Sequence, residues 1–129
     1  MRIEHVAIWT KNLEKLKDFY IKFFHGTCGE KYVNSKKGFE SYFIKFEDGT
    51  RIELMQMSSI PLNANDIEKQ YMGIIHIAFS VGSKVKVEEL TEKLRAEGYK
   101  IVSEPRTTGD GYYESCVLDL DGNRIEITI

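Results

Sequence analysis

Apolar and polar positions in the first half of the chain follow two different periods. Residues 3–10 are rich in β-branched and aromatic side chains and predict a strand. From Asn12 onward the apolar spacing changes to three and four residues, which predicts a helix with one apolar stripe. The stripe consists of Leu13, Leu16, Phe19, Tyr20, Phe23 and Phe24. Asn12 is a good N-cap residue and Gly26 follows the last apolar position, so these two residues bound the predicted helix.

The remaining elements are read in the same way. Three strands are predicted near 28–34, 41–46 and 51–57, with a tight hairpin at Asp48-Gly49 between the last two. The second half has the same order: a strand near 74–81, a helix near 85–97 that buries Val87, Leu90 and Leu94, and strands near 100–104, 114–120 and 124–128. Residues 58–72 are predicted to be a linker, and 106–111 a mobile loop.

The two halves are copies of one unit. IEHVAI at 3–8 matches IIHIAF at 74–79, and DGTRIEL at 48–54 matches DGNRIEI at 121–127. The offsets are nearly equal, 71 residues between the histidines of these blocks and 73 between their glutamates. Two blocks that match at nearly one offset imply a duplicated supersecondary unit, here βαβββ twice.

Composition excludes several classes of protein. The chain has 129 residues, 42% of them hydrophobic and 29% charged, which is typical of a soluble globular protein. The order of the predicted strands and helices makes it an α+β domain. Its net charge of −2, with the two signs interspersed, disfavours a nucleic-acid partner. No apolar run approaches the ~20 residues of a membrane helix, so no membrane partner is expected. The first residues, MRIEH, carry charge where a signal peptide needs an apolar segment, which predicts a cytoplasmic protein with reduced cysteines.

Strand alternation places one histidine and one glutamate of the first half on the face away from the helix. Side chains two residues apart share a face of a strand. Because Val6 and Ile8 face the helix stripe, His5 lies on the opposite face, and the same parity places Glu53 with His5. Trp9, Arg51, Met55 and Met57 share this face.

In the second half His76 and Glu126 occupy the equivalent positions, with Arg124 beside them. Two imidazoles and two carboxylates suit a divalent ion such as Zn, Ni, Co, Fe or Mn. Taken singly, a strand histidine is more often a hydrogen-bonded structural residue, and a mid-strand glutamate often pairs with an arginine such as Arg51 or Arg124. Their repetition at equivalent positions favours a metal site of His5, Glu53, His76 and Glu126.

With these residues the chain resembles the glyoxalase/bleomycin-resistance/extradiol-dioxygenase superfamily, the vicinal oxygen chelate fold. The matching segments are His5 with Ala7, the 13–24 helix, RIEL at 51–54, HIA at 76–78 and DLDGNRIE at 119–126. The resemblance implies a single domain of two βαβββ modules, module one at 1–57, a linker at 58–72 and module two at 73–129. Their eight strands would form a curved half-barrel around the metal, with the helices on the convex face.

The four-ligand set most resembles glyoxalase I, the lactoylglutathione lyase. That resemblance implies one divalent ion (Zn, Ni or Co) and a small-molecule substrate, the hemithioacetal of methylglyoxal and a thiol, converted to the thioester by enediolate proton transfer. Glu126 would be the catalytic base and Glu53 would share that role, while His5 and His76 would remain ligands. It also implies a homodimer with sites shared between chains.

Five further residues are candidates for substrate binding. Trp9 and Met55 would form an apolar pocket wall, or else pack in the sheet or a dimer seam. Arg51 and Arg124 would bind a substrate carboxylate, or else be rim charges. Arg106 with the 107–111 loop would close over a ligand, or else belong to a disordered surface turn, which is the more common case. Glutathione-using members carry an arginine near the position of Trp9, so this chain differs from them there.

Other functions on the same scaffold remain open. A metal-dependent epimerase would also use two carboxylates near a metal. A thiol transferase or ring-cleaving dioxygenase is disfavoured because those branches do not need Glu53. A drug-binding resistance protein needs no metal, so four retained ligands count against it.

Overall fold

Each half of the chain folds as a strand, a helix and then further strands, four in the first half and three in the second. The computed structural model describes residues 1–129 and divides into two units, Met1–Asn63 and Ala64–Ile129. Unit 1 contains β1 (His5–Trp9), α1 (Leu13–Phe24), β2 (Thr27–Cys28), β3 (Tyr32–Asn34), β4 (Phe39–Lys45) and β5 (Arg51–Met57). Unit 2 contains β6 (His76–Ser80), α2 (Lys84–Ala96), β7 (Ile101–Thr107), β8 (Tyr113–Leu118) and β9 (Arg124–Thr128). Neither helix has the length and apolar character needed to cross a bilayer.

Each unit places its first strand next to its last. In unit 1 the sheet order is β1-β5-β4-β2, with β3 also paired to β4, and β1 runs parallel to β5. In unit 2 the order is β6-β9-β8-β7, and β6 runs parallel to β9. The other neighbours are antiparallel. The predicted α+β class and the two βαβββ modules are therefore confirmed.

The predicted strand at 28–34 is interrupted. Thr27 and Cys28 pair with Lys45 and Ile44, whereas Tyr32 pairs with Ser41, so three residues on one side oppose two on the other. This one-residue excess is a β-bulge, which splits the strand into β2 and β3. Alternation of apolar residues does not reveal such an insertion, which is why the sequence predicts one strand here.

The apolar stripe of α1 is buried as predicted. Its six members, Leu13, Leu16, Phe19, Tyr20, Phe23 and Phe24, are at most 8% exposed, and Ile44, Ile52 and Leu54 of the sheet are buried with them. The Asn12 side chain accepts a hydrogen bond from the Lys15 amide at 3.2 Å and so caps the helix. At the other end Gly26 is required by packing, because a Cβ there would lie 2.3 Å from Ile44 Cγ2.

The core of unit 2 contains one polar contact. Val87 and Leu94 of α2 are fully buried, together with Val117, Ile125 and Ile127 of the sheet. Thr91 Oγ1 contacts Ser115 Oγ at 2.6 Å, which joins α2 to β8 inside this core. The Thr91 hydroxyl also donates to the Val87 carbonyl at 2.6 Å. No buried side-chain nitrogen or oxygen lacks a hydrogen-bond partner.

The loop predicted at 106–111 is shorter in the structure, where only residues 108–111 of this segment lie outside the strands. β7 continues through Arg106 and Thr107, so Arg106 lies within a strand. The turn that follows is closed by hydrogen bonds, with the Thr108 amide donating to the Tyr112 carbonyl at 2.8 Å and the Gly111 amide to Thr108 at 3.0 Å. Glycine and threonine content indicated a loop, but cross-strand pairing with β8 extends the strand.

Asp119 organises the hairpin that leads into β9. Its carboxylate is buried and accepts hydrogen bonds from the amides of Asp121 at 3.0 Å and Asn123 at 2.9 Å, and from the Asn123 side chain at 2.9 Å. Burial raises the pKa of Asp119, while these hydrogen bonds oppose that shift. The hairpin thus sets the start of the strand that carries Glu126.

Replacing Asp119 with alanine should destabilise the protein by about 2 kcal/mol, because three donors lose their acceptor. Asp119→Asn keeps one acceptor oxygen for the two backbone amides and should cost clearly less. Urea unfolding of both variants measures the difference. Equal losses in the two variants would contradict this role of the carboxylate.

Glu14 links α1 to Tyr42 of β4 and to Lys31, the residue before β3. Its carboxylate lies 2.7 Å from both Lys17 Nζ and Lys31 Nζ, and it accepts a hydrogen bond from the Tyr42 hydroxyl at 3.2 Å. The hydrogen bonds from Lys17 and then Lys31 lower the pKa of Glu14 from 4.5 to about 2. A carboxyl group whose pKa is lowered on folding stabilises the protein above its ordinary pKa and loses that effect as the pH falls.

Glu14→Gln should therefore reduce the free energy of unfolding at pH 7 by at most about 1 kcal/mol, since the group is half exposed. The difference from the parent protein should shrink as the pH falls from about 4.5 toward 2. Urea unfolding at several pH values tests this, with the exposed Glu47→Gln as the control. A difference that did not change with pH would contradict it.

Candidate metal and active site

In unit 1 the histidine and glutamate predicted as ligands lie together on the sheet face opposite α1, here called the open face. Pairing of β1 with β5 places His5 beside Arg51 and Ala7 beside Glu53. His5 Nε2 lies 3.8 Å from Glu53 Oε2, and the Glu53 side chain is 17% exposed. The ring of Phe43 contacts the His5 imidazole edge-on, with centroids 5.3 Å apart. The parallel pair of strands therefore brings these two side chains to one place.

Unit 2 repeats this arrangement with closer contact. His76 Nδ1 lies 3.2 Å from Glu126 Oε1, and the Glu126 side chain is 21% exposed. Pairing of β6 with β9 places Ala78 beside Glu126, which is the same register as Ala7 beside Glu53. The internal repeat of the sequence is thus also a repeat of strand register, although His5 presents Nε2 to its glutamate and His76 presents Nδ1.

Glu4 is a functional candidate that sequence reasoning missed. Its carboxylate contacts His5 Nδ1 and also the guanidinium of Arg51. Because a carboxylate only accepts hydrogen bonds, the His5 proton is assigned to Nδ1, which leaves the Nε2 lone pair facing Glu53. A carboxylate that orients a histidine in this way is typical of metal sites. The strand predicted at 3–10 would place Glu4 on the helix side with Val6 and Ile8, but β1 begins only at His5, so alternation does not apply to Glu4.

The geometry of both pairs fits a divalent ion. Two ligand atoms bound at about 2.1 Å to one ion lie roughly 3 to 3.5 Å apart for octahedral to tetrahedral angles. The His76–Glu126 distance of 3.2 Å falls in this range, whereas the His5–Glu53 distance of 3.8 Å lies just beyond its upper end, so these two side chains would move closer together to bind one ion. No group of three or more His, Cys, Asp or Glu side chains lies together in a metal-binding arrangement. The four-ligand site therefore stays a prediction, and each unit provides a pair.

The surroundings of Glu126 alter its proton affinity. Burial raises the pKa of Glu126 most, His76 lowers it, and the carboxylates of Glu114 and Asp110 raise it. The net direction is upward, which makes the carboxylate a stronger base than one in water. Cys116 is paired with Glu126 across the sheet, and burial also raises the pKa of its thiol.

The arginines predicted to bind substrate have protein partners. Arg51 pairs with Glu4 and lies over the Phe43 ring at 4.3 Å. Arg124 donates to the Ile67 carbonyl at 3.1 Å, and Arg106 donates to Ser103 Oγ at 3.2 Å. The alternative in which Arg51 is the partner of Glu53 is not the one found, because Arg51 pairs with Glu4.

The predicted apolar wall lies on the open face. Trp9 and Met55 are paired across β1 and β5, and Trp9 is 39% exposed. Trp9 also contacts the Phe39 ring edge-on, with centroids 5.9 Å apart. These residues share the face of the His5–Glu53 pair.

Residues 2–127 match the family model described as the glyoxalase/bleomycin resistance protein/dioxygenase superfamily. The chain belongs to this superfamily. Its members, glyoxalase I included, typically bind a divalent metal. The residue pairs described above provide nitrogen and oxygen ligands of the type such an ion takes.

Individual relatives are distant. The uncharacterized protein YqjT of Bacillus subtilis (strain 168) is 24% identical over 128 residues, which are 97% of this chain and 96% of YqjT. Glyoxalase I of Zea mays gives a TM-score of 0.80 at 21% identity over 98% of this chain and 44% of that one. The trypanothione-dependent glyoxalase I of Leishmania major gives 0.77 at 22% identity over 99% of this chain and 86% of that one. At these identities the structural likeness shows a shared fold.

Purified protein should bind close to one divalent ion per chain. His5→Ala and His76→Ala should each weaken metal binding at least about 100-fold, because each removes a ligand. Glu4→Gln should weaken it about tenfold, because this change removes only the group that orients His5. Titration calorimetry with Ni²⁺ or Zn²⁺ measures these affinities. His25→Ala, at the end of α1, serves as the control and should leave them unchanged. Unchanged affinity in either of the first two variants would contradict the assignment of that histidine.

Proposed function

We propose that the protein is a metal-dependent lyase or isomerase of the glyoxalase I type. Its substrate would be the hemithioacetal of an aldehyde such as methylglyoxal with a small thiol, and its product the thioester. The main support is the pairing of a histidine with a partly buried glutamate in each unit, at 3.8 and 3.2 Å. Membership of the superfamily agrees with this proposal.

In this proposal His5, Glu53, His76 and Glu126 together hold one divalent ion, within one chain or across a homodimer. Glu4 would hold the His5 ring in the tautomer that presents Nε2. The chemistry that the metal supplies when bound is stabilisation of negative charge developing on a substrate oxygen. The side chains of the protein would transfer the proton between the two adjacent carbons of the substrate.

Glu126 is the proposed base. Its carboxylate would accept the proton from one substrate carbon and return it to the adjacent carbon, as general base and then general acid. Burial raises the pKa of Glu126, which makes its carboxylate a stronger proton acceptor than an ordinary one and supports the role of base. Glu53, also partly buried, would serve the opposite side of the substrate.

A second candidate is a metal-dependent epimerase, which the same two carboxylates favour. An epimerase would remove a proton from one carbon and return it to the opposite side of that carbon, so it also needs an acid and a base near the metal. A drug-binding protein of the resistance type is favoured by the aromatic residues of the open face. The three functions differ in what they require. Only the first converts the hemithioacetal to a thioester, and only the third keeps full function without metal.

The deciding assay is turnover of the methylglyoxal–glutathione hemithioacetal with Ni²⁺, Co²⁺ or Zn²⁺, followed by thioester absorbance. Glu126→Gln, assayed at saturating metal because the variant also loses a ligand carboxylate, should lower kcat by about 100-fold or more, since general base catalysis contributes about that much. Glu89→Gln on the exposed side of α2 is the control. Full turnover in Glu126→Gln would contradict the assignment of the base. Metal binding without turnover would favour the epimerase.

A further inference from the structure

A cavity in unit 1 lies on the α1 side of the sheet, opposite the open face. It is called here the α1-side cavity, and its volume of about 540 Å³ lies in the range of small-molecule sites. Gln56, which lines it, follows Glu53 by three residues on β5, so the two side chains point to opposite faces. The Leu13 amide donates to Gln56 Oε1 at 2.9 Å, which fixes Gln56 beside the start of α1. The cavity is therefore separate from the candidate metal ligands.

Strand pairing puts two more lining residues on the same side. Glu40 is paired with Gln56 across β4 and β5, and Val33 is paired with Glu40 across β3 and β4, so all three share the α1 face. The rest of the wall comes from residues 11 and 58, from the β3–β4 turn and from the strand ends Phe39 and Met57. Every one of these residues belongs to unit 1, so this unit forms the cavity by itself.

The polar groups of the wall are mainly hydrogen-bond donors. Because Gln56 Oε1 accepts from the Leu13 amide, the part of the side chain left for an occupant is its NH2 group, which can only donate. Ser35 and Ser58 add hydroxyl groups that make no hydrogen bond within the chain. Lys11 Nζ donates to the Ile60 carbonyl and has further N–H donors to offer. An occupant rich in acceptor oxygens would satisfy these groups.

Lysines without carboxylate partners surround the cavity. Lys11 is part of the wall, and Lys36 and Lys37 lie in the β3–β4 turn between the lining residues Ser35 and Gly38. All three side chains are exposed, and none of them makes an ion pair. A concave site bordered by charges of one sign attracts ions of the opposite sign. With three unpaired cations, a doubly charged anion gains more than a singly charged one.

The wall contains one acidic group, Glu40, whose charge is partly balanced. Lys31 Nζ lies 3.5 Å from Glu40 Oε2 and 2.7 Å from Glu14 Oε1, so one lysine serves both carboxylates. Counting these two acids against Lys31 and the three unpaired lysines still leaves an excess of positive charge around the cavity. Glu40 therefore reduces the attraction for an anion without reversing it.

We propose that the α1-side cavity binds a small organic phosphate, with its phosphate group at Lys11 and Gln56 and its organic part against Val33. A lysine ammonium is a common partner of phosphate in proteins, and the amide and hydroxyl groups of the wall supply further donors. The cavity is larger than a phosphate group alone requires, which leaves room for the organic part. This site goes beyond the proposed function, because it lies on the other face of the sheet and is occupied independently of metal and substrate.

Phenyl phosphate, benzoate and phenol test the proposal, since the three share a ring and differ in charge. Titration calorimetry uses the full chain after treatment with EDTA, which removes any metal that would itself bind phosphate. Phenyl phosphate should bind about fivefold more tightly than benzoate and at least about 20-fold more tightly than phenol, and added NaCl should weaken its binding. No measurable binding of phenyl phosphate would overturn the inference, as would equally tight binding of phenol. Tighter binding of benzoate would overturn the assignment of a phosphate.

Variants locate the bound anion. Lys11→Gln should weaken phenyl phosphate binding about fivefold, because it removes a charge-assisted hydrogen bond. Glu40→Gln should keep or increase the affinity, because it removes the negative charge of the wall. His5→Ala should bind phenyl phosphate as the parent protein does, and Lys22→Gln, in the last turn of α1, is the matched control for the loss of a lysine. Unchanged affinity in Lys11→Gln, or lost binding in His5→Ala, would overturn the placement of the site in this cavity.

Discussion

The arrangement of both candidate ligand pairs depends on one constraint, the parallel pairing of the first and last strands in each βαβββ unit. A long connection between them is obligatory, because two parallel strands cannot be joined by a tight turn, and in each unit it contains the helix and the remaining strands. The apolar stripe of the helix then occupies one face of the sheet. Residues of opposite parity must lie on the other face, and the pairing of Ala7 with Glu53 and of Ala78 with Glu126 puts the glutamates within reach of the histidines.

The two units have kept this geometry while their open faces have diverged. In unit 1 the positions around the pair are aromatic and sulfur-containing, as Phe43, Trp9 and Met55 show. In unit 2 the strands beside Glu126 present Cys116 and Thr128 on the same face, together with Glu114. A duplicated scaffold thus holds similar ligands in both copies, while the neighbouring side chains set a different chemical character in each.

The ligand pairs also show how carboxylates are kept on a sheet face at low cost. A partly buried carboxylate without a partner is unfavourable, and Glu126 has the His76 imidazole 3.2 Å away. Glu53 faces the Nε2 lone pair of His5 at 3.8 Å and gains no hydrogen bond from it. Glu4 adds a third member in unit 1, since it contacts both His5 and Arg51. These two contacts hold the His5 imidazole in one orientation, so its Nε2 is already in place when an ion binds.

The sequence by itself determined the duplicated βαβββ order, the buried stripe of α1 and the face on which His5 and Glu53 lie, because all of these follow from local periodicity. Tertiary structure alone decided the bulge between β2 and β3, the extension of β7 through Arg106, and the partners of Arg51 and Glu4. Those features depend on cross-strand register and on side-chain contacts between residues distant in the chain. Period and composition carry no information about such contacts, so only the folded chain defines them.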